Sequence, residues 1–542
     1  MAVDASASAP KSDIERLHEL GYAQELGRKM QGFSNMAVSF SIISILAGCL
    51  TVYYLALYAG AGPSIAYGWP IVVMGSLLVA MSMGEVCSHF PTAGGLYYWS
   101  AKLAKRNAPF WSWTTGWFNL IGQVAVTASV DFALANFFGG FLSLVSDYEP
   151  TKYSILAIYA GFLIIHGVLN SLGIRLIALI NDISVWWHLV GVAVFLAFLV
   201  ALPDEHASAS FVFTEFQNNT GFNGRFSGIY VFGIGMLMAQ YTITGFDASA
   251  HMSEETENAA VAGPKGMVTS VWLSGIAGYI LLLALTFAIA PGFDFLTAAG
   301  GLITAPIPII EDAIGANGAK LLVGIACVAQ FFCGNACLTA NSRMVYAFSR
   351  DGAVPGHRLW HRINPRTRTP TNSIWFCVAL AFIAGLFSLR DAGGFPATFF
   401  AIVSLGVIGL YISYIIPVFL RLRQGEDFER GPWNLGRWSY VVGWSAVVWV
   451  VFISILFLVP QFSPITWASF NYTPVALGAL MVFVFGYWLL SARKWFVGPQ
   501  VMGTPEELAA LEAELEAVAA GKAPAAEFTA MEDEMERRPD ER

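Results

Sequence analysis

The chain reads as long apolar stretches separated by short polar ones. Twelve stretches approach the length of about 20 apolar residues that a helix needs to cross a bilayer. They lie at 33–59, 67–89, 110–142, 153–172, 176–202, 228–250, 267–290, 319–347, 373–389, 396–420, 439–460 and 472–492. They are too long and too evenly apolar for membrane β-strands, which alternate over about ten residues. All twelve are therefore predicted as helices.

Composition strengthens this picture. Hydrophobic residues make up 56% of the chain and charged residues 12%, about half the share of a soluble domain. A soluble globule of this make-up would expose too much apolar surface, and disorder requires low hydrophobicity. The fold class expected is an all-α, multi-pass integral membrane protein. Lysine and arginine then set its orientation. Fifteen, among them Lys102, Arg175, Lys265, Arg368 and Arg421, fall in the loops on one side, and only Lys152, Arg225, Lys320 and Arg390 on the other. Both termini are predicted to be cytoplasmic.

The net charge of −8 is local. Residues 504–542 hold 12 acids and 4 bases, and the remaining 503 residues balance 25 against 25. The tail reads as a helix with a narrow stripe at Leu508, Leu511 and Leu515, expected to be solvated, with docking on the protein's inner face or on a partner as the alternative. The six cysteines all fall in spans, which argues against a disulfide framework and for interior packing.

Two spans carry a glycine beside hydroxyl residues near their middles: Gly48 in the first and Gly245 in the sixth. Unwound backbone in lipid costs several kcal/mol per unpaired group unless it lines a polar cavity. Paired interruptions in two halves of a chain point to a transporter's substrate site. Close helix packing at the two glycines is the alternative.

Several motifs, in order along residues 30–500, resemble the amino acid–polyamine–organocation superfamily, and within it the amino acid/choline transporter family. They are Gly32-Phe-Ser-Asn35, Phe40-Ser-Ile-Ile-Ser-Ile-Leu-Ala-Gly48, Phe90-Pro-Thr-Ala-Gly-Gly-Leu-Tyr-Tyr-Trp99, Gly116-Trp-Phe-Asn119, Gly122-Gln-Val-Ala125, His166-Gly-Val-Leu-Asn170, Gly245-Phe-Asp-Ala-Ser-Ala-His251 and Ser349-Arg-Asp-Gly352. The resemblance implies a five-plus-five inverted-repeat (LeuT-like) transporter fold with helices one and six broken. Its repeats would be 33–202 and 228–420, with 439–492 peripheral, 1–32 an N-terminal cytoplasmic segment and 504–542 an acidic cytoplasmic tail. It implies secondary active transport by alternating access at the cell membrane. The expected substrate is γ-aminobutyrate or a neutral amino acid. Choline, ethanolamine, a polyamine, or a non-transporting sensor of the same fold are the alternatives. Protons are the expected coupling ion, with sodium left open. No enzyme activity, cofactor, metal or nucleic-acid partner is expected.

Candidate binding groups follow from the interruptions. Half-helix ends expose N–H groups that suit a carboxylate and carbonyls that suit an ammonium. The backbone at Ile45, Ala47, Gly48, Thr242 and Gly245 is expected to clamp an amino acid. Ser41, Ser44, Thr242 and Thr244 either add hydrogen bonds or bond back to their own helix. Tyr241 either lids the substrate, as the resemblance implies, or packs. Gln123, which the resemblance turns toward the site, needs a partner in substrate or neighbouring helix. Asp247 either carries the coupling proton or holds the broken helix by accepting backbone N–H bonds. His188 stands where superfamily permeases frequently have lysine, and is either a proton switch or a core histidine. Asp131 attracts a cationic substrate or pairs within the bundle. Glu85 and Arg343 form an inner ion pair, or Arg343 snorkels to the interface.

Overall fold

The structure, a computed structural model, describes residues 12–294, 302–387, 397–467 and 469–537, with side chains as far as Met531. Arg390, the outer ends of the spans read at 373–389 and 396–420, and the extreme residues of both termini lie outside the described residues.

Among the described residues, ten helices are long and apolar enough to cross a membrane. The remaining two stretches read as spans, 228–250 and 373–389, appear as the 16-residue helices Ser227–Thr242 and Thr371–Leu386. At 1.5 Å per residue each covers about 24 Å, short of a hydrocarbon core of about 30 Å. Among the described residues the strand pairing is a two-residue antiparallel one of Ala59–Gly60 with Gln217–Asn218.

Burial sorts the helices into layers. The most apolar 18-residue window of Gly32–Thr51 is 89% buried, against 17% for Thr473–Lys494. The outer helices still show Val448, Val482 and Leu490 on their surfaces. An apolar exterior around a polar interior is the pattern that lipid selects. At the centre, Ala108–Val145 packs on both Pro306–Arg350 and Ala397–Gln424, and Gly62–His89 packs on Ala259–Phe287. Gly122 and Gly409 let the first and third of these meet closely. A Cβ on Gly122 would lie 2.9 Å from the Leu410 nitrogen, and one on Gly409 would lie 3.0 Å from the Gly122 Cα.

One face of the bundle is tied by buried polar contacts. Arg343 pairs with Glu255 at 2.7 Å, and both are fully buried. Arg350 pairs with Glu254 at 3.1 Å, and Arg421 with Glu85 at 2.8 Å. This corrects the expected Glu85–Arg343 pair: each takes a different partner, and Arg343 is not at an interface. Across this face runs the N-terminal segment, with Leu17, Tyr22, Leu26 and Met30 buried. Its Glu25 accepts from Tyr346 and its Tyr22 donates to Asp351. Burial pushes the Glu25 and Asp351 carboxyls above the ordinary carboxylate range, against the pull of Arg350.

In the described part of the acidic tail the apolar stripe is docked and not left in solvent. Its helix Pro505–Ala519 starts at a Thr504 cap whose side chain accepts from the Glu507 N–H. Leu508, Leu511, Leu515, Val518 and Phe528 close over Ala23 of the N-terminal segment. Glu512 accepts from the Gln24 N–H at 2.5 Å and lies 2.8 Å from His18 Nε2. The stripe that looked narrow in sequence has a buried partner in the other end of the chain.

Candidate functional site

The two interruptions meet near the centre of the bundle. In the first, the helix Gly32–Ile43 stops at Ser44, which is left-handed (φ 38°), and Ile45–Thr51 begins immediately after. The turn lies at Ser44 and not at Gly48, which is helical with its N–H on the Ser44 carbonyl at 2.7 Å. Gly48 serves close approach instead: a Cβ there would stand 2.8 Å from Thr242 Cγ2 and 3.1 Å from the Thr242 Cα. In the second, Ser227–Thr242 ends and Ala248–His251 resumes after a turn through Gly245 (φ 91°). A β-carbon at that φ is strained, and it would also fall 2.2 Å from Ile42 Cγ2. The Ile243 carbonyl of this turn accepts from Tyr411 at 2.7 Å, and the Phe246 carbonyl from Ser39 at 2.8 Å.

Between the interruptions lies a small cavity of about 20 Å³, room for about one water. Ala47, Gly48, Tyr241, Thr242 and Thr244 line it, as does Gln330. Thr242 and Thr244 spend their hydroxyl hydrogens on the Met238 and Gln240 carbonyls. Their oxygens keep lone pairs to accept with. Tyr241 lies 3.4 Å from Ser129 through its hydroxyl. Gln330 is fully buried, and neither its Oε1 nor its Nε2 has a hydrogen-bond partner. A buried primary amide left unmatched costs about 1–3 kcal/mol. Sequence reading missed Gln330, although an amide in an apolar span was signal enough.

The other expected residues sit around the cavity. Ser41 donates to Ser184 at 2.7 Å, and the Ile45 side chain faces Gly278. Ser44 Oγ lies 2.7 Å from His188 Nε2, and His188 Nδ1 lies 2.7 Å from the Ser184 carbonyl. Nδ1 therefore donates to the carbonyl, and the Nε2 contact places His188 on the Ser44 turn. Gln123 faces Asp247, donating at 3.0 Å. Asp247 is fully buried and also receives Asn119 at 3.3 Å and Tyr414 at 2.5 Å, with His251 Nε2 at 3.2 Å. The close Gly122–Gly409 crossing is what brings Asn119 and Gln123 to one side of this carboxylate and Tyr414 to the other. Asp131 stands 3.1 Å from His166, both fully buried.

The comparisons with known proteins agree with this architecture. The family model described as amino acid permease matches residues 32–484. The chain belongs to the amino acid permease family. The permease is 44% identical over 498 residues to the amino-acid permease BAT1 of Arabidopsis thaliana, covering 89% of this chain and 95% of that one. It is 43% identical to the BAT1 homolog of Oryza sativa, covering 91% and 98%. It is 33% identical to an uncharacterized amino-acid permease of Schizosaccharomyces pombe, covering 90% and 89%. It is thus a multi-pass membrane transporter, as the motifs implied.

Proposed function

We propose that this permease moves γ-aminobutyrate or another small neutral amino acid by alternating access, driven by protons. Gln330 is the observation that carries the reading: an amide with both a donor and an acceptor free, facing a small cavity between two helix interruptions. A zwitterion supplies the complementary pair, with a carboxylate for Nε2–H and an ammonium for Oε1 and the threonine oxygens. The cavity lining has one aromatic ring, Tyr241, and no carboxylate. A quaternary ammonium calls for an aromatic cage and a polyamine for carboxylates, so both fit less well. Asp247 is the coupling group on this reading, and His188 a core histidine that supports the Ser44 turn.

The architecture goes with this function as twelve crossings in two inverted repeats, 33–202 and 228–420, with 439–492 peripheral. The interrupted stretch 228–250 makes one crossing with its turn. Both termini and the face that they cover lie in the cytoplasm, with the protein in the cell membrane. Counterflow in proteoliposomes across labelled amino acids, γ-aminobutyrate, choline and putrescine tests the substrate. Exchange of a small neutral amino acid is expected. Exchange of choline or putrescine alone, or of nothing, overturns the reading. Uptake that follows an imposed sodium gradient and ignores a proton gradient removes the proton coupling.

A further inference from the structure

We propose that His251 shares one proton with Asp247, and that this pair is the carrier of the coupling proton, released when the 90–95 loop lets go of the histidine. This rests on the reading of proton-coupled transport given above and names a residue outside the groups assigned there.

The hydrogen-bond count around the pair requires the shared proton. His251 Nδ1 lies 3.0 Å from the Ala93 carbonyl oxygen. A carbonyl only accepts, so Nδ1 carries a hydrogen. Nε2 lies 3.2 Å from Asp247 Oδ2, and one of those two atoms must supply a hydrogen as well. If neither does, two lone pairs face each other beside a bare buried carboxylate, an arrangement that costs several kcal/mol. The pair therefore holds one proton beyond the Nδ1 hydrogen.

The surroundings say where it sits. Asn119 and Gln123 donate to Oδ2, and Tyr414 donates to Oδ1. With His251 these make four donors, three around Oδ2 and one on Oδ1, all turned toward a group that as a carboxylate only accepts. The cage suits a carboxylate facing an imidazolium. The other titratable groups facing the pair are Tyr411, beside Tyr414 on Ala397–Gln424, and Cys337 on Pro306–Arg350. Asn119 and Gln123 on Ala108–Val145 are neutral. Among the described residues no lysine or arginine pairs with Asp247, so His251 is its counter-charge.

The same contacts tie the proton to a gate. Ala93 gives its carbonyl to His251 and its N–H to Glu254 at 3.0 Å, and Glu254 is paired with Arg350. The loop is thus pinned to the segment that follows the Gly245 turn. When the loop withdraws, the Nδ1–H loses its acceptor and water reaches the ring. The imidazolium then passes one proton to water, leaving a neutral imidazole and hydronium. Asp247 keeps the Asn119, Gln123 and Tyr414 hydrogen bonds, which hold its charge until the next proton arrives.

The test uses the full chain in proteoliposomes. In H251Q, which retains a donor toward Asp247 and carries no titrating proton, the ratio of proton-driven uptake to counterflow is expected to fall at least tenfold. A ratio equal to that of the unsubstituted protein overturns the dyad and leaves proton coupling standing. A second measurement needs no substitution: the voltage that nulls flux against a known substrate gradient gives the proton count. One proton per substrate supports the single shared proton, even if H251Q fails to fold. Two or more overturn it, and zero removes it together with the coupling reading.

Discussion

Two aspartate–histidine pairs lie inside the bundle with nearly equal separations, 3.2 Å for Asp247–His251 and 3.1 Å for Asp131–His166, and all four side chains are fully buried. Their surroundings differ. Asp247 is met by three further donors and His251 by a backbone carbonyl. Neither Asp131 oxygen nor either His166 nitrogen has a hydrogen-bond partner, because the two groups approach out of line. Separation alone therefore says little about what a buried pair can do. Fixed dipoles hold a charge through a cycle, and only the first pair has them. The second is a contact between Ala108–Val145 and Lys152–Ser171, closed by the backbone of Gly334.

The sharpest way to break this comparison is to neutralise each carboxylate. Hydrogen bonds to a charged group contribute about 1.5–3 kcal/mol each. Asp247→Asn is expected to lower stability by about 3 kcal/mol and abolish proton-driven uptake. Asp131→Asn should cost about 1 kcal/mol or less and leave the ratio of uptake to counterflow in place. Apparent Tm in detergent and the two flux assays read both, and equal losses would erase the distinction. Crowding is the next test. A Cβ at Gly409 meets backbone at 2.9 and 3.0 Å, whereas one at Gly334 meets the Asp131 carboxylate at 2.2 Å. Overpacking costs about 1–3 kcal/mol. Gly409→Ala should therefore impair coupling by opening the cage, and Gly334→Ala should reduce stability alone.

A smaller effect concerns the cavity itself. Losing a contact to a charged substrate costs about 1.5–3 kcal/mol, so Gln330→Leu should raise KM at least tenfold without changing the proton count. An unchanged KM would mean that the amide does not meet the substrate. The mildest effect is on the N-terminal segment. Burial raises the carboxyls of Glu25 and Asp351, so the docked state binds protons more tightly than the undocked one. Docking gains from this below the ordinary carboxylate pKa and loses it as pH rises through the raised values. Hydrogen exchange across residues 17–30 should accelerate over that interval, and exchange independent of pH after correction for intrinsic rates would contradict the assignment.

Particular residues show what could be read in the chain. Long apolar runs announced the membrane helices, since few other arrangements satisfy a backbone in lipid. Gly245 marked its turn because glycine tolerates a positive φ. The matching turn at Ser44 gave no such sign: serine rarely adopts that backbone, and it is held there by packing and by His188 from another helix. Gly48, close by in sequence, marked the right region, and of its two readings it is close packing that holds there. Asp247 stood out as a charge in a span, yet its cage comes from two other helices and no local pattern encodes it. His251 was visible within a motif, but its role depends on a carbonyl 158 residues away. The tail's leucines promised an apolar stripe without naming what would cover it.

The docked tail has a consequence for how the protein is made. Residues near Ala23 are made before the apolar spans, and the leucines that cover them after those spans. Every apolar span is synthesised in the interval between. The strip that ties one face of the bundle therefore waits for its apolar cover until after the spans have been made, and that cover includes Phe528.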